Sequence, residues 1–159
     1  MANTYTQIHL QIVFAVKYRQ ALIHKSWRER LHSYTTGIVQ NYGHKMLQIN
    51  SQPDHIHILI GYRPSHPLPK LIEEIKTSSN LFINDNKLSI SPFAWQTGYG
   101  AFSYSRSQVP SVAKYIERQD EHHQKKSFRA EYHDMLQKAQ IEFDNQYLFE
   151  FWDDIISWE

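Results

Sequence analysis

The segment Gln-Pro-Asp-His-Ile-His-Ile-Leu-Ile, residues 52–60, sets two histidines two apart in a run of β-branched residues. On a strand, His55 and His57 leave the same face while Ile56, Ile58 and Ile60 enter the opposite one. Their Cα atoms then lie roughly 6.5–7 Å apart, close enough for two imidazoles to converge on one divalent ion. Two ligands do not make a metal site, and the same pair suits the polar face of a half-solvated strand. Further along the chain, Tyr115 and Gln119 stand one helical turn apart at the edge of a stripe formed by Val109, Val112 and Ile116. A phenol is a poor nucleophile until a cation or base assists it, but it can attack a phosphorus atom that a divalent cation has polarised. Gln119 would offer the same ion a neutral oxygen, which suits Mg²⁺ or Mn²⁺. A tyrosine at a helix edge is also an ordinary packing residue with its hydroxyl in water. His122 falls on the Tyr115 side two turns on, and His122 and His123 are both left out of the metal set, since a helix C-terminus favours imidazolium in any case.

The elements that must position these groups follow from periodicity. Alternation from Tyr5 to Val16 predicts a half-buried strand with Ile8, Leu10, Ile12, Phe14 and Val16 on one face and Gln7, His9 and Gln11 on the other. Ser26 and Glu29 have the form of a capping box, and Trp27, Leu31, Tyr34, Ile38 and Tyr42 keep helical spacing up to Gly43. Lys45 to Ser51 and Asp54 to Tyr62 predict a hairpin turning at Gln52-Pro53. A second helix carries Leu68, Leu71, Ile72, Ile75 and Phe82; an aromatic strand spans Tyr99 to Ser105; Ser107 can cap a third helix, with Pro110 in its first turn, that runs to about His123. A further helix is expected after Ser127, and the aromatic tail from Phe143 to Trp158 is expected to pack back on the domain. The order strand, helix, strand, strand, helix, strand is that of an α+β, ferredoxin-like split βαβ fold, an antiparallel sheet with helices mainly on one face and the tyrosine helix after the last strand. A single domain over residues 1–159 is expected from the length.

Composition bounds the chemistry. There is no cysteine, which excludes disulfides, thiolate metal sites and a cysteine nucleophile. Seventeen Lys+Arg against sixteen Asp+Glu leave a formal charge of +1, so net charge alone does not announce nucleic-acid binding. No apolar run is long enough to span a bilayer, no phosphate-cradling Gly-rich loop is present, and the opening residues do not read as a secretory signal. The expectation is a cytoplasmic protein that uses no nucleotide cofactor.

Several motifs in fixed order add a more specific signal. The chain resembles the single-tyrosine transposases of the insertion-sequence 200/605 type, whose histidine–hydrophobic–histidine (HUH) motif is matched by His55-Ile56-His57. The resemblance runs roughly from Thr6 to Tyr132 and rests on HLQIVFAVKYRQALI, QPDHIHILI, the WQTGYGAFSYS stretch from Trp95 to Ser105, and YIERQDEHH from Tyr115 to His123. It implies that His55, His57 and Gln119 hold Mg²⁺ or Mn²⁺ and that Tyr115 is the nucleophile. Single-stranded DNA with hairpin ends would be cleaved through a 5′-phosphotyrosine link and rejoined without ATP. It further implies a prokaryotic homodimer in which the tyrosine helix of one protomer can serve the other. Neutral histidines are needed for the metal, so activity is expected to fall below about pH 6.

Lys17, Arg19, Lys76 and Arg106 are the expected phosphate contacts, and Tyr99, Phe102 and Tyr104 are either base-stacking or core aromatics. Three rivals remain at this stage. One is a domesticated relative that nicks hairpin repeats in its host's genome. Another is a non-catalytic module for single-stranded nucleic acid, and the third a hydrolase in which the ion activates water.

Overall fold

The computed structural model of the chain describes residues 3–152 and Trp158. Four strands, β1 (Ile8–Ala15), β2 (Lys45–Gln52), β3 (His55–Tyr62) and β4 (Gly100–Tyr104), form one sheet in the order β2-β3-β1-β4. Every neighbouring pair is antiparallel. Together with α1 (Arg28–Asn41) between β1 and β2, and α2 (Leu68–Asp85) between β3 and β4, this is the split βαβ arrangement expected from the sequence.

Registry decides what each face carries. Phe14 pairs with Ile56, Ile12 with Ile58 and Leu10 with Ile60, so the aliphatic side chains of the two central strands stack on one face. Ile12, Phe14, Ile56, Ile58 and Ile60 are all fully buried, and each such side chain contributes about 1.5–3 kcal/mol by leaving water. Helices α1 and α2 cover this face. His32 of α1 reaches Ser51, the partner of Ile56, and the Trp95 indole, packed edge-on against Phe14, donates to Ser79 of α2.

The opposite face carries Gln11, Val13, Asn50, Gln52, His55 and His57. It too is covered, by α3 (Val109–Glu117), α4 (Gln119–His122) and α5 (Phe128–Lys138). His55 and His57 therefore lie on a closed face and not on a half-solvated one; both are fully buried.

Three local expectations change in the structure. Helix α1 begins at Arg28, with Trp27 as its cap residue and no side-chain cap bond. Trp27 is buried as an anchor, and the Ser26 hydroxyl bonds His24 Nδ1 instead of a helix N–H. The capping box before α3 is formed by Ser105 and Gln108, two residues ahead of Ser107, because a 3₁₀ turn over Arg106–Gln108 precedes the helix. The third helix is broken at Arg118 into α3 and α4. Asn50 marks the break: its buried amide donates to the carbonyls of Ile116 (2.9 Å) and Glu117 (3.2 Å). A sheet residue thus satisfies the orphan acceptors of a helix end.

The aromatic tail does pack back. Phe149 and Phe151 lie against Phe128 and Tyr132 of α5, and the Trp158 indole donates to Asp120. Residues 153–157 of that tail lie outside the described residues. Among the described residues, no helix is long and apolar enough to cross a membrane.

Candidate active site

His55 and His57 sit on the second strand of the sheet, flanked by β2 and β1, with Gln52 and Ala15 beside His55 and Asn50 and Val13 beside His57. Burying two imidazoles is unfavourable unless each ring nitrogen finds a partner. The partner they share is Glu131 of α5, itself only 1% exposed. Its Oε1 lies 3.0 Å from His57 Nε2, 3.1 Å from His123 Nε2 and 3.3 Å from His55 Nε2. Its Oε2 accepts from Gln119 Nε2 at 2.9 Å and from the Tyr115 hydroxyl. One carboxylate thereby joins β3, α3, α4 and α5.

Each imidazole is oriented from behind. His55 Nδ1 donates to Asp54 Oδ1 at 2.7 Å, and Phe128 stacks on its ring at 3.8 Å. His123 Nδ1 donates to the Lys126 carbonyl at 2.7 Å. His57 Nδ1 accepts from the Gln11 amide at 2.8 Å, and the Tyr104 hydroxyl donates to Gln11 Oε1 at 2.9 Å. A half-turn of the Gln11 amide, with Tyr104 accepting instead, moves the His57 proton to Nδ1 and frees Nε2 as a ligand.

The electrostatics follow from burial and this geometry. Burial opposes charge on His55, yet the Asp54 and Glu131 carboxylates raise its pKa to about 9. Burial keeps His57 below the usual histidine value despite Glu131. Glu131 would be raised by burial alone, but the imidazoles of His57, His123 and His55 hold it well below the carboxylate range. The Tyr115 phenol is pushed up by burial and by the facing Glu131 carboxylate. The phenol therefore stays protonated until positive charge enters the site.

Such a group of nitrogens around one carboxylate oxygen could hold a cation. Ligand atoms of His55, His57, His123 and Glu131 all lie within 4.8 Å of one another, and the donor chemistry fits a divalent metal.

A family model for IS200-like transposases matches residues 4–119, well over half of the chain. The chain belongs to the IS200-like transposase family. Among curated relatives it is similar to the ISDra2 transposase TnpA of Deinococcus radiodurans, at 23% identity over 118 residues that span 71% of this chain and 84% of that protein. Two solved structures share the fold. One is the crystal structure of a transposase from Deinococcus radiodurans, with TM-score 0.58 and 19% identity over 75% of this chain and 95% of that one. The other is a REP-associated tyrosine transposase bound to a REP hairpin, with TM-score 0.58 and 13% identity over 99% of this chain and 98% of that one.

Within this transposase chain, the four residues singled out by motif come together: His55, His57 and Gln119 are buried and Tyr115, half-buried, closes the cluster. His123, left out of the metal set on sequence grounds, turns inward to it, because the break at Arg118 redirects the chain and places His123 beside His55, ring centroids 4.7 Å apart. His122 stacks on Tyr115 at 4.3 Å. Glu131 was not singled out at all, and it lies beyond the residues matched by the family model. Its signal is present in the sequence: it is the one acid on an α5 stripe otherwise made of Phe128, Tyr132 and Leu136.

The expected phosphate contacts fare differently. Lys17, Arg19 and Arg106 are exposed. Lys76 is turned inward, its ammonium donating to the carbonyls of Gln96 (2.8 Å) and Gly98 (2.6 Å), and burial lowers its pKa to about 8. It holds the loop ahead of β4. Of the three aromatics, Phe102 is buried, Tyr104 half-buried and Tyr99 exposed. A cleft of about 780 Å³ opens beside Tyr115 and is lined by Gln11, Tyr104, Tyr115 and Glu131, with Lys126 and Lys138 also on its wall.

Proposed function

We propose that this chain cleaves and rejoins single-stranded DNA at hairpin-bearing ends, with Tyr115 as the nucleophile and a divalent cation held by the histidine pair. The observation that carries this reading is the Tyr115 hydroxyl aimed at the buried Glu131 carboxylate, which itself touches both HUH histidines, at the wall of an open cleft. The cation, Mg²⁺ or Mn²⁺, would be held by His55, His57 and Gln119 as the family resemblance implies, and would polarise the scissile phosphate.

The remaining steps belong to the protein. The cleft admits a backbone stripped of its complement and sets one phosphate against Tyr115. Tyr115 Oη attacks phosphorus as its proton passes toward Glu131 Oε2, the acceptor it already faces. The bond from phosphorus to the 3′ oxygen breaks, leaving a 5′-phosphotyrosine and, after the oxygen takes up a proton, a free 3′-hydroxyl. A second 3′-hydroxyl displaces Tyr115 in the reverse sense, so the phosphodiester energy is retained and no nucleotide is consumed. Should the protein act as the homodimer the resemblance implies, each protomer has its own Tyr115 to hand, since one chain assembles the whole cluster.

The test uses single-stranded oligonucleotides tiled from the DNA flanking the gene, incubated with Mn²⁺ or Mg²⁺ and resolved on a denaturing gel. We expect a covalent protein–DNA band that is lost in Tyr115→Phe and in His57→Ala. Cleavage that persists in Tyr115→Phe would make water the nucleophile and overturn the reading. A second reading, action on dispersed hairpin repeats of the host instead of on insertion-sequence ends, is favoured by one observation. The REP-associated structure superposes over 99% of this chain, whereas the Deinococcus radiodurans structure superposes over 75%. Preferential cleavage beside genomic hairpin repeats in the same assay would select it.

A further inference from the structure

Four buried ligand groups meet in this chain, and two of them come from the segment beyond the family match. Resting on the reading above, we propose that His123 and Glu131 join His55 and His57 as ligands of one cation, and that this set selects a first-row transition ion such as Mn²⁺ over Mg²⁺.

Geometry supplies the first argument. The three Nε2 atoms and Glu131 Oε1 already face one another across distances of 3.0–3.3 Å to the carboxylate oxygen. Replacing that direct contact by an ion between them requires only small movements of side chains that are otherwise fixed. Asp54, Gln11 and the Lys126 carbonyl bind the far nitrogens of the three rings. Outer partners of this kind fix the orientation of imidazole ligands and raise their basicity.

Donor chemistry supplies the second. Mg²⁺ prefers six oxygens in near-ideal octahedral geometry and keeps several of its waters. Three imidazoles and one carboxylate, all at most 7% exposed, give a single oxygen ligand. Imidazole nitrogen suits first-row transition ions better than it suits Mg²⁺, and Mn²⁺, though the weakest binder of that series, shares the preference. The second oxygen of Glu131 receives the Tyr115 hydroxyl, so a single side chain ties the ion to the nucleophile.

Titration calorimetry of the purified protein with MnCl₂ and with MgCl₂, checked by loss of the free-Mn²⁺ electron-spin signal, tests this without any DNA. We expect Mn²⁺ to bind at least roughly tenfold tighter than Mg²⁺. His123→Ala and Glu131→Gln should each weaken Mn²⁺ by about 10–100-fold or more, the scale seen when metal ligands lose even outer support. Glu131→Asp, which keeps a carboxylate, should recover part of the loss and serves if the Gln variant does not fold, as judged by a melt in chelator. Equal affinity for the two ions, or wild-type Mn²⁺ binding in both His123→Ala and Glu131→Asp alongside a folded Glu131→Gln that also binds normally, overturns the proposal. The function and this site fail separately. A Tyr115-dependent DNA adduct with unselective metal binding leaves the function standing, and selective Mn²⁺ binding with no adduct on any oligonucleotide leaves only the site.

Discussion

Tyr115 and Glu131 stand sixteen residues apart on different helices, and the phenol of the first donates to the carboxylate of the second. Burial and that carboxylate both hold the phenol protonated. In the proposed mechanism Glu131 orients the hydroxyl and gives its proton a destination. Glu131→Gln keeps the shape and removes the base, so single-turnover adduct formation should fall about 100-fold, the lower end of what a positioned base contributes. An unchanged rate, measured at saturating Mn²⁺ so that altered metal affinity does not contribute, would show that Glu131 plays no part in activating Tyr115.

Asn50 places the same helix from below. Its amide holds the last carbonyls of α3, one and two residues beyond Tyr115, and a buried carbonyl left without a donor costs about 1–3 kcal/mol. We expect Asn50→Leu to lower the urea midpoint accordingly and to reduce adduct formation more than a surface change of equal destabilisation does. Loss of stability with full activity would show that the helix end needs no such anchor.

The strands and the first two helices were legible because apolar periodicity specifies them: the Ile8 to Phe14 and Ile56 to Ile60 alternations mark the face that α1 and α2 cover. The motif residues were legible too, since an HUH pair on a strand and a tyrosine four residues before a glutamine are local patterns. Glu131 and His123 were harder to read: the apolar α5 stripe marks Glu131 as inward-facing, but the meeting of both with the histidine pair arises only when α5 crosses the polar face. The failed Ser26 cap has the same origin: burial of Trp27 outweighs a local capping preference of about 1 kcal/mol.

Gly100 makes that crossing possible. A Cβ at this position in β4 would lie 2.5 Å from Tyr132 Oη and 2.9 Å from its ring edge, and Tyr132 is itself locked among Phe102, Phe128 and Phe149. Gly100→Ala should cost about 1–3 kcal/mol by overpacking and lift α5, with Glu131, away from the histidines. Combining it with Tyr132→Phe removes the closest atom and should restore part of both stability and adduct formation. Wild-type behaviour of the single variant would mean that α5 tolerates the displacement.

His32 makes stability depend on pH away from the site. Burial, with Arg28 adding to it, lowers its pKa to about 4, and its Nε2 bonds the Ser51 hydroxyl at 2.8 Å. The unfolded chain takes up a proton near pH 6.5 while the folded one resists down to about 4. The contribution is thus complete above pH 6.5 and is lost as pH falls toward 4, by at most about 3 kcal/mol. Urea denaturation at pH 7 and pH 5 should show a larger drop for the wild type than for His32→Gln. Parallel drops would place the sensitivity in other groups, such as the buried His57.

A single chain brings Tyr115 to its own histidines, with the Tyr115 and His57 rings 6.5 Å apart. If that arrangement is the active one, two inactive variants cannot rescue each other. Tyr115→Phe lacks the proposed nucleophile and His57→Ala a proposed ligand, so every site in a mixture holds one defect. We expect the mixed proteins to form no more covalent adduct than either alone, even after co-expression to allow mixed dimers. Exchange of tyrosine helices between protomers would instead pair an intact Tyr115 with an intact His57 in one of the two sites of each mixed dimer. Recovery of up to half the wild-type adduct in such dimers would establish assembly across the interface, and the contact between Tyr115 and Glu131 of one chain would then describe a resting state.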